Sequence, residues 1–225
     1  MLSGQAVVAI WNGITQDGRA EFYAWHLNEH MPERVGIPGF LRGRRYRAID
    51  GKTAPEFFTL YEVESFEVTV SKAYLERLNA PTPWTKAATA AFRDTSRGLG
   101  RIVASVGPGS GGSLATVRFS VEPAQEQAAR AALSELMHAI ARLPMVAGAH
   151  VAAVDAEASG IKTTESKSRT DIQPPPNWFA LIETCTPDSL EAPVRALTDC
   201  AFVRHANVGR YTHEYTRLKT DHSPG

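Results

Sequence analysis

The same order of predicted elements is written twice along this chain, and that repetition limits its fold more than any other feature. Near the midpoint of the 225 residues stands "GPGSGGS", residues 107–113, with the composition of a flexible linker. Before it, "AVVAIWNGI" predicts a strand, residues 17–31 a helix, "FLRGRRYRAID" and "FFTLYEV" two strands, residues 65–92 a proline-interrupted helical stretch, and "LGRIVASV" a strand. After it come the strand "LATVRFSV", the Ala/Leu-rich helix "AQEQAARAALSELMHAIARL", the strands "AGAHVAAVD" and "WFALIET", a helix over 188–198, and the strand "VGRYTHEYTRL". Both halves read βαββαβ. A slide of about 108 residues sets Trp11 against Phe119 and leaves Gly39 one position from facing Gly148; "FFTLYE" then meets "WFALIE" after a further offset of about twelve. The extra length is "AEASGIKTTESKSRTDIQPPPN", residues 156–177, too long for an ordinary connection. Its polar, Pro-rich composition predicts a mobile segment, either a lid or disordered.

A βαββαβ unit folds as a four-stranded antiparallel sheet with both helices on one face, the ferredoxin-like arrangement. Apolar residues occur at both parities of the strands (Val7, Val8, Ile10, Trp11; Phe57, Phe58, Leu60, Tyr61), so each strand is expected to be buried on both faces. Two such sheets packed together cover each other's bare face and leave a lined space between them. The expected fold class is therefore α+β: two tandem ferredoxin-like repeats, residues 1–106 and 114–220, whose antiparallel sheets form an internal pseudo-dimeric α+β barrel. A further homodimer beyond that internal pairing is left open.

Composition removes several function classes. Lys and Arg total 24 against 24 Asp and Glu, a balance that supplies no electrostatic footprint for nucleic acid or an anionic membrane. Cys185 and Cys200 have no metal-ligand spacing and no second pair, so neither a disulfide framework nor a zinc knuckle is expected. "MLSGQAVVAIWNG" lacks a basic leader and its apolar run is too short to span a bilayer, which leads to the expectation of a cytoplasmic protein with a small-molecule partner.

The chemistry is concentrated in "WHLNEHMPERVGIPGF", residues 25–40. At about 100° per residue, Ala20, Tyr23, Ala24, Leu27 and Met31 share one helical stripe, with His26 and His30 side by side along its margin and Glu29 pointing away. Pro32 disfavours helical conformation at Met31, so the helix is expected to end or kink there, and "GIPGF" turns the chain into the next strand. Formally His26, Glu29 and His30 spell the inverted zinc-peptidase pattern H-x-x-E-H, but the further downstream acidic ligand such enzymes need is missing: no acidic residue occurs between Thr95 and Glu122. No metal is expected. An acid/base role asks less, since a histidine partly buried in a cleft can pass a proton near neutral pH.

Downstream lie Arg34, then Arg42, Arg44, Arg45 and Arg47, with alternation placing Arg42, Arg44 and Tyr46 on one face of the strand and Arg45 and Arg47 on the other. Either one set faces the space between the sheets and holds an anionic group, or the arginines form a solvated edge that discourages aggregation. Trp11, Tyr61, Glu62 and Trp84 are further candidates that can equally be core. In the second half the matching helix reads "SELMHAI", which keeps His138 opposite His30 but puts Glu135 or Ser134 opposite His26, and "AGAHVAAVD" carries no arginine. The first half is the one expected to carry chemistry.

"WHLNEHMPE" on the first helix, "GIPGF" after it and "RGRRY" on the second strand resemble the EthD-like branch of the dimeric α+β barrel superfamily. The resemblance covers residues 6–106 well and the second half as a worn copy. It implies a cavity holding a small, often aromatic or polyketide-like molecule, with the helix histidine at His26 or His30 and the strand tyrosine at Tyr46. Two readings follow. In the first the protein is a cofactor-independent enzyme (lyase, isomerase or monooxygenase) acting on a small aromatic or anionic catabolic metabolite. There His26 or His30 is the acid/base, Arg34 and Arg44 hold the anion, and Tyr46, Tyr61 and Trp84 line the pocket. In the second it binds a small molecule without chemistry, as a sensor or accessory; a haem-binding version of this has no C-x-x-C-H attachment signal to support it.

Overall fold

The computed structural model describes residues 1–167, 169 and 171–219; two positions of the insertion and the expected end of the second unit, residue 220, lie outside the described residues. Eight strands close into one antiparallel barrel in the order β1-β3-β2-β8-β5-β7-β6-β4. They are β1 (Ala6–Ile14), β2 (Phe40–Ala48), β3 (Phe57–Val63), β4 (Phe92–Val106), β5 (Ser113–Ser120), β6 (Val146–Val154), β7 (Trp178–Thr184) and β8 (Arg204–Leu218). The first four stand in the order β4-β1-β3-β2 and the last four in the order β8-β5-β7-β6. The mixed α+β character and the antiparallel barrel agree with the sequence reading.

Closure comes from the two longest strands. β4 pairs with β1 through residues 92–101 and goes on to pair with β6 through residues 100–106. β8 likewise pairs with β5 and then with β2. The sequence reading began β4 seven residues late, at Leu99, because the Phe92 to Gly98 stretch carries polar residues and two glycines' worth of turn signal around it; its ladder to Ile14, Gly13 and Trp11 is what makes it a strand. β2 is hydrogen-bonded to both β3 and β8, so its arginines are not a solvated edge.

The two sheets join edge to edge, and the space they enclose is full. Val7, Ala9, Trp11, Tyr46, Phe58, Leu60, Leu114, Phe179, Leu181 and Tyr211 pack into one buried cluster inside the barrel. An eight-stranded barrel is just wide enough for side chains to fill it. The expected lined space between sheets is therefore packed core. Trp11 lies in it, whereas Phe119 faces outward into the cluster beneath the second-half helices. The slide that matched these two residues is thus one position out of register, which in a strand reverses the face. The match of Phe58 with Phe179 holds, since both point inward.

One end of the interior is ionic. Arg44 Nη1 donates to Glu183 Oε2 at 2.8 Å, Arg44 Nη2 lies 3.0 Å from Glu62 Oε1, and Arg42 Nε donates to the same Glu62 oxygen at 2.6 Å. Backbone N–H groups of Ser3 and Gly111 add donors to Glu62 and Glu183 at 2.6 and 3.1 Å. Burial pushes the Glu183 carboxyl up, but His150 and Arg44 outweigh it and hold the group down to about 2. Arg44 and Tyr46, expected to bind substrate, are built into this interior; Arg44 sits over the Tyr46 ring at 5.6 Å.

Helices pack outside the barrel. In the second half α5 (Glu126–Ile140) presents Ala129, Leu133, Met137 and Ile140 to the sheet. With Leu190 and with Val194 and Leu197 of α8 (Glu191–Thr198) they fill that layer, leaving His138 exposed. In the first half the layer is made of shorter pieces: α1 (Arg19–Trp25), α2 (Met31–Gly36), α3 (Lys72–Asn79) and α4 (Pro83–Thr89). The insertion, with α6 (Ala156–Gly160) and α7 (Thr164–Lys167), lies over that half. Replacing Arg44 with Met leaves two buried carboxylates without their shared counter-ion, a loss of about 3–5 kcal/mol. Urea unfolding of the variant against the parent protein measures it.

Candidate active site

Between α1 and α2 the helix does not stop. Residues His26–His30 form a π-helical turn in which the Met31 N–H reaches back to the carbonyl of His26, and the helix resumes through Pro32 to Gly36. In a regular α-helix the Pro32 ring would collide with the carbonyl one turn earlier; the wider π turn relieves that clash where an end or kink was expected. The turn also brings both imidazoles to the buried side, His26 and His30 being 3% and 4% exposed. Glu29 is engaged elsewhere, its Oε1 accepting from Thr82 Oγ1 at 2.6 Å and Thr85 Oγ1 at 3.1 Å, so the H-x-x-E-H side chains have separate partners. Trp25 Nε1 donates to the same Thr85 oxygen at 3.1 Å, tying the π turn to α4.

His30 is stacked on Trp25 with ring centroids 4.3 Å apart, and the edge of Tyr61 stands 6.3 Å away. Tyr61 points outward from β3 because Gly43 on β2 leaves it room: a Cβ there would come within 2.9 Å of the Tyr61 ring and of Met31 Sδ. Arg34, one turn past His30, is 3% exposed and pairs with Glu165 of α7. Glu165 also takes Arg169 Nη2 at 2.7 Å. His30, Arg34, Tyr61 and Glu165 line a cavity of about 550 Å³ together with Ile10, Tyr74, Thr95, Arg97 and residues of the insertion such as Ser159, Lys162, Arg169 and Pro174. That volume suits a small organic molecule.

The insertion is fastened over the cavity. Thr95 N–H donates to the Asp171 carbonyl at 3.0 Å and Gln173 N–H to the Thr95 carbonyl at 2.8 Å. Ser96 Oγ donates to the Pro174 carbonyl at 2.9 Å, and the Leu99 N–H to Ser159 Oγ at 2.9 Å. The described part of the insertion carries its own short helices and is held over the cavity by backbone pairing that composition does not reveal.

The candidate residues separate accordingly. His30, Arg34 and Tyr61 meet in the cavity; Arg44 and Tyr46 lie across the sheet in the barrel interior; Trp84 is at the start of α4, where its indole donates to Glu21. His26 sits behind His30, ring centroids 5.5 Å apart, with its Nδ1 3.3 Å from Arg45 Nη1. Thr95, Arg97, Lys162, Lys167 and Arg169 were missed. The signal available was the Glu165/Arg169 spacing of i, i+4 within a loop too long to be a mere connection.

Electrostatics set the protonation states. Burial, then the charge of Arg34, the neighbouring His26 ring and the charge of Arg169, hold His30 well below the ordinary histidine value; burial and Arg45 do the same for His26. Burial drives the Tyr61 phenol upward. Burial opposes the charge on Arg34, but Glu165 overcomes it and the guanidinium stays charged. The site therefore presents a neutral imidazole, a neutral phenol and a fixed cation.

No protein-family model matches the chain, and no curated protein matches it in sequence. Solved structures do match in shape. An anthrone oxidase-like protein gives a TM-score of 0.59 at 11% identity over 95% of this chain and 92% of its own. A "putative monooxygenase" from Lactobacillus acidophilus NCFM gives 0.58 at 12% over 95% and 96%. A mutant chlorite dismutase from Candidatus Nitrospira defluvii, in complex with cyanide, gives 0.55 at 12% over 95% and 92%. The fold is that of the dimeric α+β barrel proteins.

Below an unfolded value near 6.5 the unfolded chain protonates His26 and His30 while the folded chain does not, so stability present at higher pH is lost as the pH falls. Each histidine adds a slope of up to about 1.4 kcal/mol per pH unit below about pH 6.5. Denaturant midpoints measured between pH 7.5 and about 5 follow this trend, and the slope falls when His26 or His30 is replaced by Gln.

Proposed function

We propose that this protein is a small-molecule enzyme of the dimeric α+β barrel type, with His30 as its general acid/base in the first-half cavity. The observation that carries the reading is a set of three buried hydrogen-bonding atoms without a partner, His30 Nδ1, the Tyr61 hydroxyl and Thr95 Oγ1, each belonging to a residue that lines that cavity. Buried polar groups are nearly always satisfied, and a cluster of exceptions in one roomy, part-apolar cavity fits a bound molecule that completes them.

A neutral imidazole can take a proton from a carbon or hydroxyl acidified by a neighbouring carbonyl or aromatic ring. The enolate or phenolate so formed lies beside Tyr61, whose un-ionised hydroxyl can donate to it, and beside Arg34, whose charge offsets it. Returning the proton at another atom gives an isomerase and expelling a leaving group gives a lyase. Transfer of electrons from the carbanion to dioxygen gives a cofactor-independent oxidation. The neighbouring folds described as monooxygenase and anthrone oxidase-like favour the last of these, and the aromatic lining by Tyr61 and Tyr74 suits an aromatic catabolic substrate.

In this reading the two halves are tandem copies of a ferredoxin-like unit, residues 1–106 carrying the site and residues 114–220 supporting it, in the manner of an EthD-like protein. Arg44 and Tyr46 serve the barrel, and His26 positions His30 from behind. A panel of phenols, anthrone-type ketones and aromatic acids, followed by dioxygen consumption and by solvent-deuterium exchange, identifies the reaction. His30→Ala lowers kcat by roughly 10²–10⁴-fold with the fold retained, and Tyr61→Phe lowers it less. Full turnover in His30→Ala overturns the assignment. Ligand-dependent thermal stabilisation with no turnover of any compound points to the binding protein instead.

A further inference from the structure

The cavity holds more donors than acceptors. Arg34 Nη1 and Arg169 Nε are buried without a hydrogen-bond partner although both guanidinium groups already contact Glu165. The Tyr61 hydroxyl and Thr95 Oγ1 are likewise unpartnered, and each can donate. Among the described residues, no side chain whose polar atoms only accept is left buried and unpaired. An acceptor with several lone pairs matches this set of donors.

Charge runs the same way. Among the described residues, five cationic side chains line the cavity, Arg34, Arg97, Lys162, Lys167 and Arg169, against the one lining carboxylate of Glu165. Arg34 and Arg169 are the buried members, 3% and 9% exposed at the side chain, while Lys162 and Lys167 stand exposed on the insertion. Glu33, 3.5 Å from Arg34 Nη1, is shared with Arg77 at 4.0 Å. Glu165 is shared by the two buried guanidinium groups and Glu33 adds only a looser, part-exposed contact to Arg34, so the surplus of cations in this low-dielectric space favours an anion beside them.

We propose that the cavity takes a carboxylate-bearing ligand whose oxygens seat on Arg34 of the first half and Arg169 of the insertion, beside Glu165. The proposal deepens the reading above by naming the group the substrate carries, and it assigns anion recognition to a residue that the second half supplies. Glu165 acts as the tie that holds the two guanidinium groups within reach of one ligand. Arginine suits this work because its planar fork matches a carboxylate with two parallel hydrogen bonds. The exposed lysines at the rim draw an anion toward the opening. Because Arg34 and Arg169 lie on different parts of the chain, a ligand bound to both also clamps the insertion down.

The test uses benzoate and its neutral isostere benzamide. Calorimetric titration gives benzoate binding and benzamide binding at least about tenfold weaker, the difference expected for charge-assisted hydrogen bonds. Arg169→Gln removes that preference while its circular dichroism and unfolding midpoint in the absence of ligand stay near those of the parent; Arg34→Lys, which keeps the buried charge, weakens benzoate in the same direction. Trypsin cleavage at Lys162 and Lys167 slows with benzoate and not with benzamide. Equal binding of the two compounds, no binding of benzoate, or an undiminished preference in Arg169→Gln overturns the proposal. His30→Ala keeps the benzoate preference, so a failure of proton transfer at His30 and a failure of carboxylate recognition give separate results.

Discussion

Everything about where this protein can bind a molecule follows from the closure of its barrel. β4 and β8 are each 15 residues long because each serves two partners, one in its own half of the chain and one in the other. Closure removes every open sheet edge. It also fixes a diameter at which inward side chains meet across the middle, and Trp11, Phe58 and Phe179 do so, with ring centroids 5.0 and 5.4 Å apart. Arg44 joins Glu62 of the first half to Glu183 of the second inside that space. A shift of either half by one residue would separate these charges in a medium that cannot solvate them, so the ion cluster specifies register more than it adds stability.

With the interior used up, a cavity has to be found between sheet and helices, and the first half leaves room for one. α5 runs 15 residues without interruption and supplies an apolar stripe long enough to cover its sheet. The corresponding layer of the first half is broken by the π turn after Trp25 and by the Pro81 to Pro83 segment between α3 and α4. The gap opens over Ile10, Tyr61 and Thr95 and is roofed by the insertion between β6 and β7. The two halves thus divide labour: one gives up packing to make a cavity, and the other spends extra chain to cover it.

The strands and their antiparallel, α+β setting were legible because they depend on local pattern. β3 and β7 show buried residues along their whole length, as the double-parity apolar content of "FFTLYEV" and "WFALIET" requires. The face on which each candidate residue sits was not legible. Arg44 and Tyr46 share a strand face with Arg42, and the alternation that groups them cannot say whether that face looks into the barrel or toward the helices. His30, Arg34 and Tyr61 come together only because the helix continues through Pro32 as a π turn, a rescue that local proline preference argues against. The partnership of Arg34 with Glu165 spans 131 residues of sequence and leaves no local trace in either segment.

The charges around His30 have a consequence for how a base and an anion site can share one cavity. Burial first, and then the charges of Arg34 and Arg169, keep a proton off the imidazole, which leaves it a free base but a weak one. A carboxylate seated on those two guanidinium groups cancels much of their field, and the imidazole then holds a proton more readily. By reciprocity, protonation of His30 tightens the hold on the anion by the same factor. The base would therefore gain strength when the substrate arrives, and the buried Trp25 face against which the ring is stacked fixes its direction throughout. The same cations that favour an anion in the cavity would thus couple occupancy to proton transfer, provided that ligand and base lie on the side of the sheet where the closed barrel leaves room.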